Sequence, residues 1–457
     1  MRIFLIALAG AAGMGCDVSD ERAGLAAADD TVTWHQDVAP IVAEHCMGCH
    51  VAGGVTPFQL DSYEAVRPMA AVMLDAIESG RMPPWSPVET DSCDPMMSFE
   101  NDPRLSVEKI ETLRAWVEAG SPAGDPETPA AMPEPPALDL VDPDRALVFS
   151  EPVTVDGDRD QFLCFVLDPQ IDEKVWVDGV QLVPDNQKVA HHALIYQDLT
   201  GATADGPQVF ECFNPPPGAE FLMGGWVPGA VPFRTPEASG MPLLPESRLV
   251  VQMHYHPSPD GPEIDQSVVE LSFREDVPEW EAALALLGNS GRQYSDGGGL
   301  QPGPNDPTDR AEFVIPAGAT DHTETMYYEG VLPLPIELPV FAVGTHMHYV
   351  GVDMQIDYIP AEGDRECVIQ TDWSFDWQRI YNFDVPVDEL MRVQSGDSIE
   401  MRCTYDNSMN NEYVRRALEE QGLTEPIDVY LGEETLDEMC LGIFGLLVPP
   451  GIIETVF

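Results

Sequence analysis

Basic residues are scarce in this 457-residue chain, where 22 Lys and Arg stand against 79 Asp and Glu and the formal net charge is −57. Its lysines are Lys109, Lys174 and Lys188 alone. A phosphate backbone needs a basic partner surface, so this composition excludes ordinary nucleic-acid binding, and the shortage of lysine disfavours reactive-lysine chemistry. Hydrophobic residues make up 44% of the chain, which indicates a globular protein and not a disordered acidic tail. At 50.1 kDa, two or three domains are expected.

Long apolar runs are also missing, and the one at the N-terminus, residues 3–12, is too short to span a bilayer. Residues 1–16 are therefore interpreted as an export signal. Small residues lead into Cys16 and acidic ones follow it, which is typical of a bacterial lipoprotein processing site and predicts a lipid on Cys16 with residues 17–32 as a tether. Ordinary cleavage near residues 26–28, with loss of Cys16, is the alternative. We expect an exported protein, periplasmic or on the cell surface, that contacts a membrane only through the lipid.

A haem-attachment pattern, Cys46-x-x-Cys49-His50, lies near the N-terminus. In such a pattern the two thiols form thioethers with the haem vinyl groups, and the adjacent imidazole binds the iron. A zinc site and a redox disulfide are the competing interpretations. Apolar residues recur at helical spacing just upstream, so the motif is predicted at the end of a short amphipathic helix.

The sixth iron ligand is predicted to be Met82, because the two prolines that follow it fix an extended loop. The methionines that could substitute for it are Met69, Met73, Met96 and Met97. A second helix is expected over about residues 106–119, with Ser106 as its cap. Residues 33–124 thus look like a cytochrome c domain, which implies a small all-α fold that moves single electrons. The Pro- and acid-rich residues 125–142 are predicted to be a linker.

The second half of the chain has short alternating apolar runs bounded by Gly, Pro and Asp, which predict antiparallel β-sandwiches. Six of the ten histidines form three groups there: His191 with His192, His254 with His256, and His346 with His348. His346 and His348 would lie on one face of a strand and could bind one ion. His191 and His192 would face opposite sides of a regular strand, so joint binding requires a bulge or different ring nitrogens.

Four motifs together carry a resemblance to a known family; they are NQKVAHHAL at 186–194, LVVQMHY at 249–255, GTHMH at 344–348 and DEMC at 437–440. They resemble the copper type II, ascorbate-dependent monooxygenases, the family of peptidylglycine α-hydroxylating monooxygenase and dopamine β-monooxygenase. The resemblance implies two all-β, jelly-roll-like sandwiches, over residues 143–276 and 277–457.

Two copper ions are implied by the same resemblance. His191, His192 and His254 resemble the electron-transfer copper site, and His346, His348 and Met439 resemble the O₂-binding copper site. Imidazoles suit both copper oxidation states, whereas a thioether favours Cu(I), the form that must meet O₂. His256 could replace or assist His254, but a surface histidine is the favoured interpretation.

The cysteines fit the resemblance as well. It implies disulfides between Cys164 and Cys212 and between Cys403 and Cys440, which would hold the ligand strands in place. Cys93 and Cys367 remain, either as a bridge from the haem domain to a sandwich or as two free thiols.

The chain departs from the family at two positions. The peptidylglycine branch holds the substrate carboxylate with an arginine and a tyrosine, where this chain has Gly344 and Ile443. A peptidylglycine substrate is therefore not expected. Residues 288–310 are a polar Gly/Pro insertion, predicted to be a solvated loop or a cover over the cleft between the copper domains.

The resulting hypothesis is an exported copper monooxygenase, with two copper ions and one haem c, that hydroxylates a C–H bond of a small organic substrate with O₂. The haem domain would relay electrons from ascorbate or a redox protein. One rival is a copper/haem electron-transfer or copper-binding lipoprotein that does not hydroxylate. Another is a haem-based sensor or adhesion protein with structural zinc.

Overall fold

The computed structural model describes residues 31–51, 56, 58–134, 139–157, 159–212, 216–219, 221–227, 230–258, 260–288, 298–306, 310–330, 336–375, 377–432 and 436–453. The fold is mostly β, in sandwich-like sheets with a few short helices, which confirms the predicted β-rich second half. The predicted signal, the lipid site at Cys16 and most of the tether lie outside the described residues. Within those ranges, every helix is too short or too polar to cross a membrane.

A small helical unit opens the described chain. It consists of a π-helical turn Trp34–Val38, α1 Ala39–His45, α2 Tyr63–Val66, a 3₁₀ turn Arg67–Met69, α3 Ala70–Glu78 and α4 Val107–Glu118. Trp34, Val42 and Trp116 are among the buried residues that form its own hydrophobic core. The haem-attachment motif directly follows α1, as predicted. The predicted second helix is α4, and the Ser106 hydroxyl accepts a hydrogen bond from the Lys109 N–H at its start.

The first thirteen strands are β1 Arg145–Val148, β2 Val153–Val155, β3 Gln161–Leu167, β4 Val175–Val183, β5 Ala190–Asp198, β6 Val209–Glu211, β7 Phe221–Trp226, β8 Phe233–Arg234, β9 Ser239–Leu243, β10 Arg248–Tyr255, β11 Glu263–Asp265, β12 Val268–Phe273 and β13 Trp280–Gly288. The later ones are β14 Gly298–Leu300, β15 Val314–Ile315, β16 His322–Glu329, β17 Leu338–His346, β18 Gly351–Ile359, β19 Glu366–Asp372, β20 Ile380–Asn382, β21 Arg392–Val393, β22 Ser398–Tyr405, β23 Val429–Tyr430 and β24 Leu441–Val448. Helix α5, Glu412–Glu420, lies between β22 and β23.

One long sheet runs through both predicted sandwiches in the order β1-β12-β4-β9-β13-β24-β17-β20, with β8 and β21 at its margins. It crosses the predicted boundary at residue 277, because β9 pairs in parallel with β13. A five-stranded sheet, β6-β3-β10-β5-β7, covers its first half, and Phe165 of this sheet stacks on Phe149 at 3.9 Å between ring centroids. The sheet β14-β16-β22-β18-β19 covers its second half, where Gly442 lies against Met401 and Ile356.

The strands that carry or directly follow the predicted ligands lie inside their sheets. β10 has β3 on one side and β5 on the other, and its residues from Leu249 to Tyr255 are all buried. β24 lies between β13 and β17. Central strands are paired along both edges, so the backbone at these sites is fixed.

Residues 86–100, here called the strap, leave the helical unit and lie along the second sandwich. The strap exchanges backbone hydrogen bonds with β19, where the Val88 N–H donates to the Gln370 carbonyl at 2.8 Å. Beyond β20, the Asp384 N–H donates to the Ser98 carbonyl, also at 2.8 Å. A disulfide joins Cys93 to Cys367, so the bridge left open by the sequence is formed. The helical unit is thereby fixed to the second sandwich.

The two disulfides implied by the resemblance are also present, Cys164–Cys212 and Cys403–Cys440. The second anchors the chain just before β24 to the buried strand β22. Three disulfides are typical of an oxidising compartment and indicate an exported protein.

The polar insertion differs in part from the predicted loop. Residues 289–297 and 307–309 lie outside the described residues. Gly298–Leu300, however, form the edge strand β14 against β16. Their backbone groups are satisfied by this pairing, which explains how so polar a segment contains three buried residues.

Candidate functional site

A single cavity of about 1520 Å³ lies between the helical unit and the two sandwiches. It is lined by residues from each of the three predicted groups: Cys46, Cys49, His50 and Met82; His192 and His254; His346, His348 and Met439. Helices, the first sandwich and the second sandwich thus converge on one space. A cavity that joins several groups of potential metal ligands is a candidate redox site.

The three-histidine group depends on a β-bulge. His254 lies opposite His192, while Tyr255 lies opposite Ala190, so His191 is the additional residue on β5. The bulge turns two consecutive side chains toward the same place, as joint metal binding requires. The Nδ1 atom of His192 is 3.3 Å from the Nδ1 atoms of both His191 and His254.

The electrostatics of this group favour neutral imidazoles. Burial lowers the pKa of His192 well below its usual range, and the neighbouring histidines, including His346 and His348, lower it further. Burial also lowers the pKa of His254. A neutral imidazole offers a lone pair to a metal ion. Three largely unprotonated histidines held this close together could therefore bind one cation between them.

Asp160 lies behind the three-histidine group. Its Oδ2 atom is 2.9 Å from Nε2 of His254, and its Oδ1 atom is 2.7 Å from Nδ1 of His256. With the carboxylate against Nε2, Nδ1 is the ring nitrogen of His254 that faces His192. The side chain of His256 is 43% exposed, in agreement with the favoured surface interpretation, and it contacts the same carboxylate as His254.

Replacing Asp160 by asparagine should weaken metal binding at the three-histidine group about 10- to 100-fold, because the amide no longer fixes the His254 tautomer. Competition with a copper chelator measures this affinity. His256→Ala is the matched control, since it keeps the Asp160–His254 contact and should leave the affinity unchanged. Equal losses in the two variants would show that Asp160 does not act through His254.

His346 and His348 lie at and just beyond the end of β17, with ring centroids 5.3 Å apart. Nδ1–H of His346 donates to Oε1 of Gln378 at 2.7 Å. Nδ1–H of His348 donates to the Asp437 carbonyl at 3.0 Å. These bonds fix both rings so that a metal would be bound through Nε2. Burial lowers the pKa of His346, which again favours the neutral form.

Met439 is held beside these histidines by its neighbour Glu438. The fully buried Glu438 carboxylate accepts hydrogen bonds from the N–H groups of Met439 at 2.8 Å, of Val350 at 3.2 Å and of His348. Burial raises the pKa of Glu438 to about 8, although these donors act in the opposite direction. The Tyr405 hydroxyl donates to the Met439 carbonyl at 2.9 Å. One carboxylate therefore ties the methionine segment to the histidine segment.

The haem-attachment residues face the same cavity. Cys46 and Cys49 are free thiols, unlike the paired cysteines of the sandwiches, and Nδ1–H of His50 donates to the Phe58 carbonyl at 3.2 Å. Apolar residues surround them, namely Phe58, Leu60, Met69, Met73 and Ile77, and the exposed Met82 lies on the same cavity. Two thiols, an imidazole and a thioether around an apolar space fit a covalently bound haem. Of the alternative methionines, Met96 and Met97 pack instead against the sandwich core.

Sequence reasoning missed several residues that orient the candidate ligands, namely Asp160, Gln378, Glu438 and Tyr405. Glu438 had a local signal, because an acidic residue directly precedes Met439. The others are distant in sequence from the groups they contact, so no spacing could have indicated them.

The sequence model of the C-terminal domain of copper type II ascorbate-dependent monooxygenases matches residues 312–443. The matched segment contains His346, His348 and Met439. This match supports that copper monooxygenase family for the chain.

Similar solved structures include the major capsid protein P2 from Bacteriophage PM2, with 9% identity over 64% of this chain and 99% of that chain and a TM-score of 0.26. A structure of allantoicase is similar over 54% of this chain and 77% of that chain, with 10% identity and a TM-score of 0.14. At these TM-scores, the similarities show neither a shared fold nor a shared function.

Proposed function

We propose that this chain is an exported copper monooxygenase that hydroxylates a C–H bond of a small organic substrate with O₂. One observation carries the proposal: two groups of potential copper ligands with different chemistry meet at one cavity, which is lined by His192 and His254 of the first group and by His346, His348 and Met439 of the second. The first group has three imidazoles, and the second adds a thioether to two imidazoles. Such a difference suits two copper ions with separate roles, since a thioether favours Cu(I).

His191, His192 and His254 would hold one copper ion, and His346, His348 and Met439 the other. Copper bound there supplies one-electron chemistry and reaction with O₂. The chain's own task is to keep the imidazoles neutral and correctly turned. Burial favours the neutral form, while Asp160 orients His254 and Gln378 orients His346.

The wall of the cavity favours an apolar, uncharged substrate at this site. Near the second histidine pair it is lined by Leu286, Leu441 and Ile443. A side chain at Gly344 would be in tight contact with this wall, because a Cβ atom there would lie 3.1 Å from the Arg379 carbonyl and 3.4 Å from Ile443. Apolar walls exclude water and position the substrate by shape.

A haem bound at Cys46 and Cys49, with His50 and Met82 as iron ligands, would supply one-electron transfer inside the chain. The strap and the Cys93–Cys367 disulfide support this arrangement, because they fix the helical unit at the mouth of the cavity. The external electron donor would be ascorbate or a redox protein. A redox protein that donates electrons to this chain would have a neutral or basic surface, because this chain has a net charge of −57. The lipid proposed on Cys16 would hold the protein at a bacterial membrane.

Metal analysis followed by O₂ uptake tests this function. We expect two copper ions and one covalent haem per chain, and copper-dependent O₂ uptake that a suitable C–H substrate accelerates. One zinc ion and no copper would contradict the proposal in favour of a haem protein with structural zinc. Two copper ions with no O₂ uptake across a panel of apolar and polar substrates would favour the electron-transfer alternative.

A further inference from the structure

A cluster of hydrogen-bond donors lines the cavity beside the haem-attachment motif. None of its residues belongs to the candidate ligand groups described above. The cluster consists of Trp85, Trp377, Arg379 and Tyr381, here called the donor cluster. The strap residues next to Trp85 bind β19, whereas Tyr381 is on β20 and Trp377 and Arg379 directly precede it. The cluster therefore forms where the loop after Met82 meets the second sandwich.

The buried indole N–H of Trp85 has no acceptor among the described residues. The Trp377 indole and Ser86 lie close enough to the Tyr381 hydroxyl to act against the rise in its pKa, but no hydrogen bond of standard geometry forms there. Tyr381 is only 5% exposed, and its ring centroid is 5.0 Å from that of Trp85. An indole N–H donates but never accepts, and a buried donor without an acceptor is unfavourable. A ligand that accepts hydrogen bonds would therefore suit this place.

Arg379 gives this place a positive charge. Its guanidinium carbon lies 3.8 Å from the centre of the Trp377 ring, which holds the planar group in position. The Arg379 side chain is half-buried, and burial lowers its pKa, while the neighbours whose charge raises it are Tyr381 and Cys49. Arg379 thus lines the same cavity as the cysteine that would carry one haem thioether, and the charges of the two side chains interact.

We infer that the donor cluster binds a propionate carboxylate of the haem, with Arg379 as the charged partner and Tyr381 and the two indoles as further donors. This inference rests on the haem attachment proposed above. A haem carries its propionates on the pyrroles next to those that bear the thioethers, so a carboxylate can reach the region beside Cys49. Guanidinium binds carboxylate with paired hydrogen bonds, and the indoles and the phenol satisfy the remaining lone pairs. The second sandwich would thus hold the haem of the helical unit in place.

The reduction potential of the haem tests the inference. Removing a positive charge beside the propionate stabilises ferric haem, so Arg379→Gln should lower the potential. We expect the ratio of reduced to oxidised haem, measured at the wild-type midpoint, to fall about tenfold, which corresponds to about 59 mV for a one-electron couple. Tyr381→Phe should shift the potential in the same direction by less, and Arg379→Lys should restore most of it. Arg234→Gln removes an exposed arginine from the same cavity and should leave the potential unchanged.

Haem content distinguishes a failure of the proposed haem attachment from a failure of the proposed propionate site. If the wild-type chain carries no covalent haem by the pyridine haemochrome assay, the proposed haem attachment fails. If haem is present but neither Arg379→Gln nor Tyr381→Phe moves the potential, the propionate site is wrong while the haem function stands. A raised KM for an anionic substrate with an unchanged potential would also overturn it, because the cluster would then bind substrate. Tyr381→Phe keeps the ring and serves as the test should Arg379→Gln fail to fold.

Discussion

Met439→Leu should reduce copper-dependent O₂ uptake by about two orders of magnitude or more, while the chain stays folded. Leucine keeps a similar apolar volume but has no thioether, so the change removes the sulfur donor beside His346 and His348 and little else. Cu(I) affinity should fall with the uptake rate. Both are measured on the copper-loaded, reduced protein, by an oxygen electrode and by chelator competition.

Met347→Leu is the matched control for this prediction. Met347 lies between the two histidines and is fully buried, but its side chain packs against Gly351 in the core. The same chemical change one residue from both histidines should therefore leave O₂ uptake nearly intact. If the two variants lose activity equally, the loss at Met439 reflects packing, and its role as a ligand is contradicted.

Glu438→Ala should destabilise the fold and separate the methionine segment from the histidine segment. The carboxylate accepts the N–H groups of His348, Val350 and Met439, and its removal leaves these buried donors without their acceptor. At about 1–3 kcal/mol for each unsatisfied group, the loss should reach about 3 kcal/mol or more. Chemical denaturation of the copper-free protein measures it without a contribution from bound metal.

Tyr405→Phe provides the comparison for Glu438→Ala. It removes a single hydrogen bond to the Met439 carbonyl and keeps the buried ring, so we expect a loss of about 1 kcal/mol. Similar losses of stability in the two variants would contradict the view that Glu438 organises this segment. Copper affinity at the second site should follow the same order.

The candidate ligand groups could be predicted because their residues lie in short sequence motifs. Joint metal binding by adjacent histidines in a strand required either a bulge or different ring nitrogens, and the structure has a bulge at His191. The disulfides Cys164–Cys212 and Cys403–Cys440 followed from the family resemblance. Local rules such as strand alternation and helix capping operate over a few residues, which is the range a single sequence reveals.

The arrangement around the ligands could not be predicted, because it depends on contacts between distant segments. Cys93 and Cys367 are 274 positions apart, and nothing near either one indicates the strap. Asp160 reaches His254 only because β3 and β10 are neighbours in the folded sheet. No sequence feature distinguished Arg379 from the other arginines, and only the folded structure shows that its charge interacts with Cys49. Orientation of ligands is a property of the tertiary structure, whereas their identity is a property of the sequence.

Isotope labelling tests the central claim most directly. The copper-loaded, reduced protein is mixed with ¹⁸O₂ and the substrate that most accelerates O₂ uptake, and the product is examined by mass spectrometry. A monooxygenase places one ¹⁸O atom in each hydroxylated product, and copper-free protein forms no labelled product. Consumption of O₂ to peroxide or water, with no label in any organic product, would contradict the account and leave an electron-transfer protein in its place.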